Sequence, residues 1–502
     1  MSENNVMSDF SYVRFFLKHK RMIDILCEFT VVFVLFMFVY GAMMPRFGYH
    51  WDETLDFSGG GMSTYFANGR WGLALWKYLL GYGPGAWTAG ILAGVFISGA
   101  VLFQTRLLQL SGAFLRFMYV ALWMALPQFA YAMSYSIQSD AVAFGIFATS
   151  LAAFFTTKQG WKYFVAAIGL MTVAVGIYQS LALNYAVLIV FLVLLRIIKE
   201  KCGWVGIMFR GVIVSICSLI LWCIINKLCI CYADISPGVK EWYIDAQDAM
   251  SNHGGITGVY ELLLYLCHYG KVVMLNALSP QSYPGELLYA SVIIPVAVLG
   301  YRVLRGKKMN MVKRLFAFGL VLFIWCSPFL MILAMGNEWP CRPHTRLAES
   351  LAFAGIWTIA LSGMRIASIC RNIILLTCGL LLIRSSMNVT HYAAEERALF
   401  EADLYKLLRM EYDACSLASE AGIPLAKGSI LYFRKQRSAG GTVKYSCVDF
   451  RGSYPALRYM RYGYLPEEIA EHAPELKNMP SWPSKGSIRI HNGKVIVCGD
   501  TM

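Results

Sequence analysis

Long apolar runs recur along this chain, and their length is set by a bilayer. The first, Ile23 to Met44, is close to the ~20 residues that a helix needs to cross the hydrocarbon core. Further runs lie near Ala86–Phe103, Phe114–Met133, Ala141–Phe155, Tyr163–Tyr178, Leu181–Leu195 and Ile213–Leu228. The last four are near Leu287–Val303, Leu315–Met335, Leu351–Ser362 and Ile373–Ser386. Hydropathy therefore predicts about eleven spans. Within lipid the backbone must bond to itself, so runs of this kind fold as helices. Only 15% of the 502 residues are charged and 58% are hydrophobic, against about a quarter charged in a soluble domain. The fold class expected is an α-helical polytopic membrane protein.

The net charge of +14 would suggest nucleic acid in a soluble protein. Here its placement explains it. Arg106, Lys158, Lys162, Arg196, Lys199 and Lys201 share one side with Arg302, Arg305, Lys307, Lys308, Lys313, Arg314, Arg365 and Arg371. The basic N-terminal residues Arg14, Lys18, Lys20 and Arg21 join them. The positive-inside rule puts this side in the cytoplasm, so no nucleic-acid partner is expected. Residues 1–22 read as a cytoplasmic N-terminus ahead of an anchor that is retained, not a cleaved signal. Most of the 14 cysteines sit inside apolar runs and behave as small hydrophobes.

From about His391 the composition changes. ERALFEADLYKLLRMEYDACSLASEAG has apolar residues at helical spacing. Short alternating runs follow, among them SILYFRK, TVKYSCVDF and SIRIHNGKVIVCGD, and Asn492-Gly493 between two of them is a hairpin signal. Residues 391–502 are expected to form a small α+β domain on the outer side, and compartment alone suggests a Cys447–Cys498 disulfide. Residues 23–390 are then the membrane domain, with an outer loop over 45–85.

That loop holds three carboxylates within five residues, Asp52, Glu53 and Asp56. Asp52 and Asp56 share a face if helical, and their repulsion raises one pKa, which suits a proton acceptor. The same oxygens suit a divalent cation such as Mg²⁺ or Mn²⁺, while an ordinary solvated loop is the plain alternative. Met62–Trp76 reads as one amphipathic, aromatic-rich helix lying along the membrane surface. Other outward features accompany it. Gln138-Ser139-Asp140 opens the fourth span, with Asp140 a cap-region residue or a site carboxylate. Tyr178-Gln179 lies at a turn, placed to hold a sugar hydroxyl or to anchor the interface. Arg342, His344 and Arg346 run against the charge bias. They suit a surface phosphate, or else salt bridges to Glu338 or Glu349.

With Gly69-Arg70-Trp71, the stretch SIQSDAVAFGIFATSLAAFF and the turn in VGIYQSLALNYAVLIVFLVLL, the chain resembles the serotype-converting O-antigen glucosyltransferases of bacteria and their phages, over roughly residues 20 to 390. His50-Trp51-Asp52-Glu53 stands where that family has an Asp-Asp pair. The resemblance implies a C-type glycosyltransferase in the bacterial inner membrane, with its site and C-terminal domain in the periplasm. It implies Asp52 as the essential carboxylate with Glu53 assisting, and undecaprenyl-phosphate-glucose as donor. The acceptor implied is a lipid-linked O-antigen repeat, with a polyprenyl-phosphate glucosyltransferase and a flippase as functional partners. Asp56, Arg70, Asp140, Tyr178, Gln179, Arg342, His344 and Arg346 are the candidate binding residues. A C-type transferase for another sugar or acceptor, a repeat polymerase and a lipid-linked sugar transporter are the alternatives.

Overall fold

The computed structural model describes residues 4–44, 65–80, 86–126, 128–133, 136–232, 291–305, 309–330, 346–362, 364, 366–424, 430–434, 479–480 and 482–499. In chain order its helices are α1 (Asn4–Tyr40), α2 (Trp71–Leu80), α3 (Ala86–Leu107), α4 (Ala113–Ala125), α5 (Gln128–Met133), α6 (Ser136–Thr156) and α7 (Trp161–Ile177). Then come α8 (Leu181–Ile198), α9 (Trp204–Tyr232), α10 (Ile293–Leu304), α11 (Met311–Cys326), α12 (Ala348–Leu361) and α13 (Ser368–Glu420). Each expected apolar run falls on one or two of these helices. Among the described residues six helices carry segments long and apolar enough to cross a bilayer: Met22–Met43, Trp87–Leu107, Gln138–Thr156, Leu181–Ile198, Trp204–Cys231 and Ser368–Glu395.

The chain divides into two compact units, the first made of Met1–Met44 and Tyr65–Thr390, while the second includes His391–Met502. In the first, α3, α6 and α8 are mostly buried, whereas α1, α9 and α13 turn most of their apolar surface outward. Val31, Val34 and Phe38 of α1 and Ile216, Ile220 and Ile224 of α9 are exposed. That pattern fits helices facing lipid, where nothing drives aliphatic side chains inward.

Close helix approach in the centre comes from small residues. A Cβ on Gly99 of α3 would sit 2.9 Å from the Phe147 ring of α6, and one on Gly145 would sit 2.3 Å from Leu181 of α8. Polar side chains buried at these seams are bonded across helices. Gln104 donates to Ser150 at 3.0 Å and accepts from the Tyr119 hydroxyl at 2.7 Å. Thr156 and Tyr185 share a hydrogen bond of 2.8 Å.

The expected span over Phe114–Met133 is two helices. Leu126 precedes Pro127, and proline disfavours helical backbone in the residue before it; Leu126 is extended, at φ −91° and ψ 128°. The break frees carbonyls, which side chains from other helices satisfy. Tyr40 donates to Leu126 O at 3.0 Å and Ser385 donates to Met124 O at 3.0 Å. The C-terminus of α12 is closed in the same way, because one Arg302 nitrogen reaches the carbonyls of Ile359, Ala360 and Ser362 at 2.8–3.2 Å.

In the second unit the sheet order is β1-β3-β2, with β1 (Ile430–Arg434) parallel to β3 (Lys494–Gly499) and β2 (Ile488–His491) antiparallel to it. Asn492 and Gly493 turn the hairpin with φ of 49° and 71°, the conformation that their dipeptide predicts. Met410, Ala414 and Ala418 of α13 pack on Val495 and Val497, and Trp482 donates to Asp413 at 3.1 Å. The helical stretch expected beyond His391 is the second half of α13, an unbroken helix of 53 residues. The change in composition marks a change of surroundings, not a helix end. Cys447 of the expected disulfide lies outside the described residues.

Arg302→Met should lower the thermal midpoint in detergent more than Tyr40→Phe does. A hydrogen bond to a charged group contributes about 1.5–3 kcal/mol and a neutral one about 1 kcal/mol. Equal midpoints for the two variants would contradict the capping role.

Candidate active site

Tyr65 to Leu80 is where the sequence expectation changes most. One helix over Met62–Trp76 was expected; among the described residues it is broken at Asn68-Gly69. Arg70 N donates to Tyr65 O at 2.7 Å and Gly69 N to Phe66 O at 3.0 Å. This is the two-bond ending that a glycine in the left-handed region provides, and Gly69 has φ +70°. A Cβ there would also lie 2.7 Å from the Trp222 ring and 3.0 Å from the Gln179 amide. Both backbone angle and space therefore require glycine. The break puts Arg70 at the head of α2, not in the middle of a helix.

This segment is fastened to the helices around it. Trp222 of α9 donates to Gly69 O at 2.8 Å, and Gln179 donates to Asn68 O at 2.7 Å. Gly72 lies so close to α7 that a Cβ would meet Gly176 C at 2.7 Å and Ile177 N at 2.8 Å. Trp76 donates to Asp140 Oδ2 at 2.9 Å and stacks on Phe144 at 4.7 Å.

Asp140 is fully buried, and its other carboxylate oxygen accepts from Ala141 N at 2.8 Å. It lies in the second turn of α6, so its partner Trp76, and not the start of the helix, explains it. Lys77, 2% exposed, attracts this carboxylate and donates to the Tyr65 hydroxyl at 2.6 Å. Sequence reasoning overlooked Lys77 and Trp222. The first left a signal, a cation seven residues after Arg70 and so on the same face of α2. The second, inside an apolar run, left none.

Tyr178 ends α7 with extended backbone, at φ −154° and ψ 122°, before α8 begins. The Arg70 guanidinium lies over its ring at 4.7 Å, a contact that holds a cation without neutralising it. Arg346 is 3% exposed and forms a salt bridge at 3.3 Å with fully buried Glu349. Of the two readings open to Arg346, the structure supplies the ion pair. Asp52, Glu53, Asp56, Arg342 and His344 lie outside the described residues. Among the described residues no group of three or more His, Cys, Asp or Glu is placed to hold a metal ion.

Two outcomes follow. Arg346→Met and Glu349→Gln should each destabilise the fold by about 3–5 kcal/mol, because each removes one member of a buried ion pair. The double variant should cost less than the two added together, as read from thermal midpoints; strict additivity would show that the pair is not coupled. Gly69→Ala should destabilise the fold by more than the ~1 kcal/mol of a tolerated left-handed alanine, and a variant as stable as the parent would contradict the Trp222 contact.

No curated protein and no solved structure matches the chain. The model of the family described as "Glucosyl transferase GtrII" matches residues 41–359. That range contains the acidic segment, α2 and both turns, and is well over half of the sequence. The chain belongs to this glucosyl transferase family and is a glycosyltransferase.

Proposed function

We propose that the protein moves glucose from undecaprenyl-phosphate-glucose to a sugar hydroxyl of a lipid-linked O-antigen repeat, on the periplasmic face of the bacterial inner membrane. The observation that carries this reading is the family match over 41–359, a range that includes both Asp52–Asp56 and Gly69-Arg70. The charge bias of the loops supports the same side.

Asp52 accepts the proton of the acceptor hydroxyl, with Glu53 assisting and Asp56 beside them. The hydroxyl oxygen attacks the anomeric carbon and forms the new glycosidic bond. The bond from that carbon to the phosphate oxygen breaks in line, with inversion, and the lipid phosphate leaves with the electron pair. Donors aimed at that phosphate stabilise the charge developing on it. Arg70 and Arg342, with His344, are assigned to it, while Arg346, held by Glu349, supports the start of α12. Tyr178 and Gln179 shape the edge of the site; Asp140 holds α2 in place through Trp76. The Asp52, Glu53 and Asp56 oxygens would hold Mg²⁺ or Mn²⁺, whose charge would offset that of the phosphate. A polyprenyl-phosphate glucosyltransferase and a flippase supply the donor.

Cells carrying Asp52→Asn should insert the protein normally yet lose glucose from their O-antigen, read by mass and linkage analysis of the polysaccharide. Loss of a general base costs about 10²–10⁴-fold in rate. Undiminished glucosylation would remove Asp52 from the mechanism, and surface labelling that places residue 52 in the cytoplasm would overturn the topology.

A further inference from the structure

The turns at 68–72 and 178–180 are in contact, through the Gln179–Asn68 bond and the Arg70 guanidinium over Tyr178. Arg70 Nε and Ser180 Oγ are buried without hydrogen-bond partners, and Ser180 is only 1% exposed. Ser180 has helical backbone and makes no capping bond. Among the described residues the backbone N–H groups of Trp71, Gly72, Gln179 and Ser180 also have no acceptor. Trp71 and Gly72 open α2, and Gln179 and Ser180 lead into α8. Buried polar groups are almost always bonded, so a collection of unmet donors in one place calls for an acceptor.

The electrostatics select its sign. Each helix N-terminus carries roughly half a positive charge, and α2 and α8 both begin here. The carbonyl end of α7 opposes them with a similar half charge, so the guanidinium of Arg70 leaves the place clearly positive. Lys77 donates to the Tyr65 hydroxyl and is attracted to Asp140, not to this place. The Gln179–Asn68 bond and the Gly72–Gly176 approach hold the two turns together, so the donors are fixed before a ligand arrives.

We infer that this double N-terminus binds a phosphate group, that of the lipid carrier, with Arg70 and Ser180 as its side-chain contacts. The inference rests on the reading above, in which a polyprenyl phosphate leaves the sugar. It adds Ser180 and the first turns of α2 and α8 to the site, and it makes Arg70, not Arg346, the described arginine that meets the anion.

The test is a titration of the full chain in phosphatidylcholine nanodiscs with undecaprenyl phosphate, followed by tryptophan fluorescence. The neutral alcohol undecaprenol, inorganic phosphate and phosphatidylglycerol form the other arms. Arg70→Gln should weaken undecaprenyl phosphate binding about tenfold or more, Arg70→Lys less, and Ser180→Ala a few-fold. Ser180→Ala keeps Arg70 on Tyr178, so its loss does not come from a collapsed turn. Displacement by inorganic phosphate would uphold the anion site and assign the tail little of the affinity. Undecaprenol binding as well as the phosphate, or Arg70→Gln and Ser180→Ala both binding like the parent, would overturn it. Phosphatidylglycerol competing equally would overturn the assignment to the carrier. Asp52→Asn should bind undecaprenyl phosphate normally. If Asp52→Asn still transfers glucose while Arg70→Gln loses binding, the base is wrong and the phosphate site stands.

Discussion

In hydrocarbon a backbone carbonyl or N–H that leaves a helix finds no water, and the first unit is arranged around that constraint. Where a helix stops, a side chain from another helix takes up the exposed group. Tyr40 and Ser385 do so at the break before Pro127, and Arg302 at the end of α12. Trp222 and Gln179 do so at Asn68-Gly69. These bonds link distant parts of the sequence, so they fix which helices are neighbours as well as where each one ends. Packing alone is a weaker guide here, because lipid tails are as apolar as the side chains they meet.

Buried charge follows the same economy. Lys77 and Asp140 attract each other, and Arg346 is paired with Glu349. Arg70 differs, since its described neighbour is the face of Tyr178. A ring orients a guanidinium and leaves its charge available to a third party. The turns around Arg70 keep unmet donors, Arg70 Nε and Ser180 Oγ among them. Each such donor costs about 1–3 kcal/mol when buried, a cost that natural proteins bear chiefly where function requires it.

Much of this was legible in the residues. Apolar run length located the helices, because the bilayer sets that length independently of tertiary structure. Asn492-Gly493 gave the hairpin, because only a few residues tolerate both angles. The turn at Tyr178-Gln179-Ser180 was legible from the polar triplet between two aliphatic runs. The break at Gly69 was not, although a glycine is present. Aromatic residues at helical spacing run through it, and what decides against a continuous helix is Trp222, 153 positions away. The continuity of α13 across His391 is not legible either. Its composition changes at the unit boundary, yet nothing in that stretch breaks a helix. Glu349, three residues after Arg346, was legible as its partner, whereas Trp76, 64 positions before Asp140, was not.

The broken helix ties the fold to the chemistry. A straight helix through Gly69 would carry Arg70 on a surface determined by Met62–Trp76, with its N-terminal donors consumed by the preceding turn. Stopping at Gly69 frees the next N–H groups, gives α2 a dipole of its own and aims Arg70 at Tyr178. Gly72 then lets α2 approach the backbone of α7 more closely than any side chain permits, which brings its first turn beside that of α8. Catalysis by fixed donors depends on their being in place before charge develops. Gly69, Gly72, Trp222 and Gln179 hold the 65–80 segment in place, and the proposed phosphate contact draws on that rigidity.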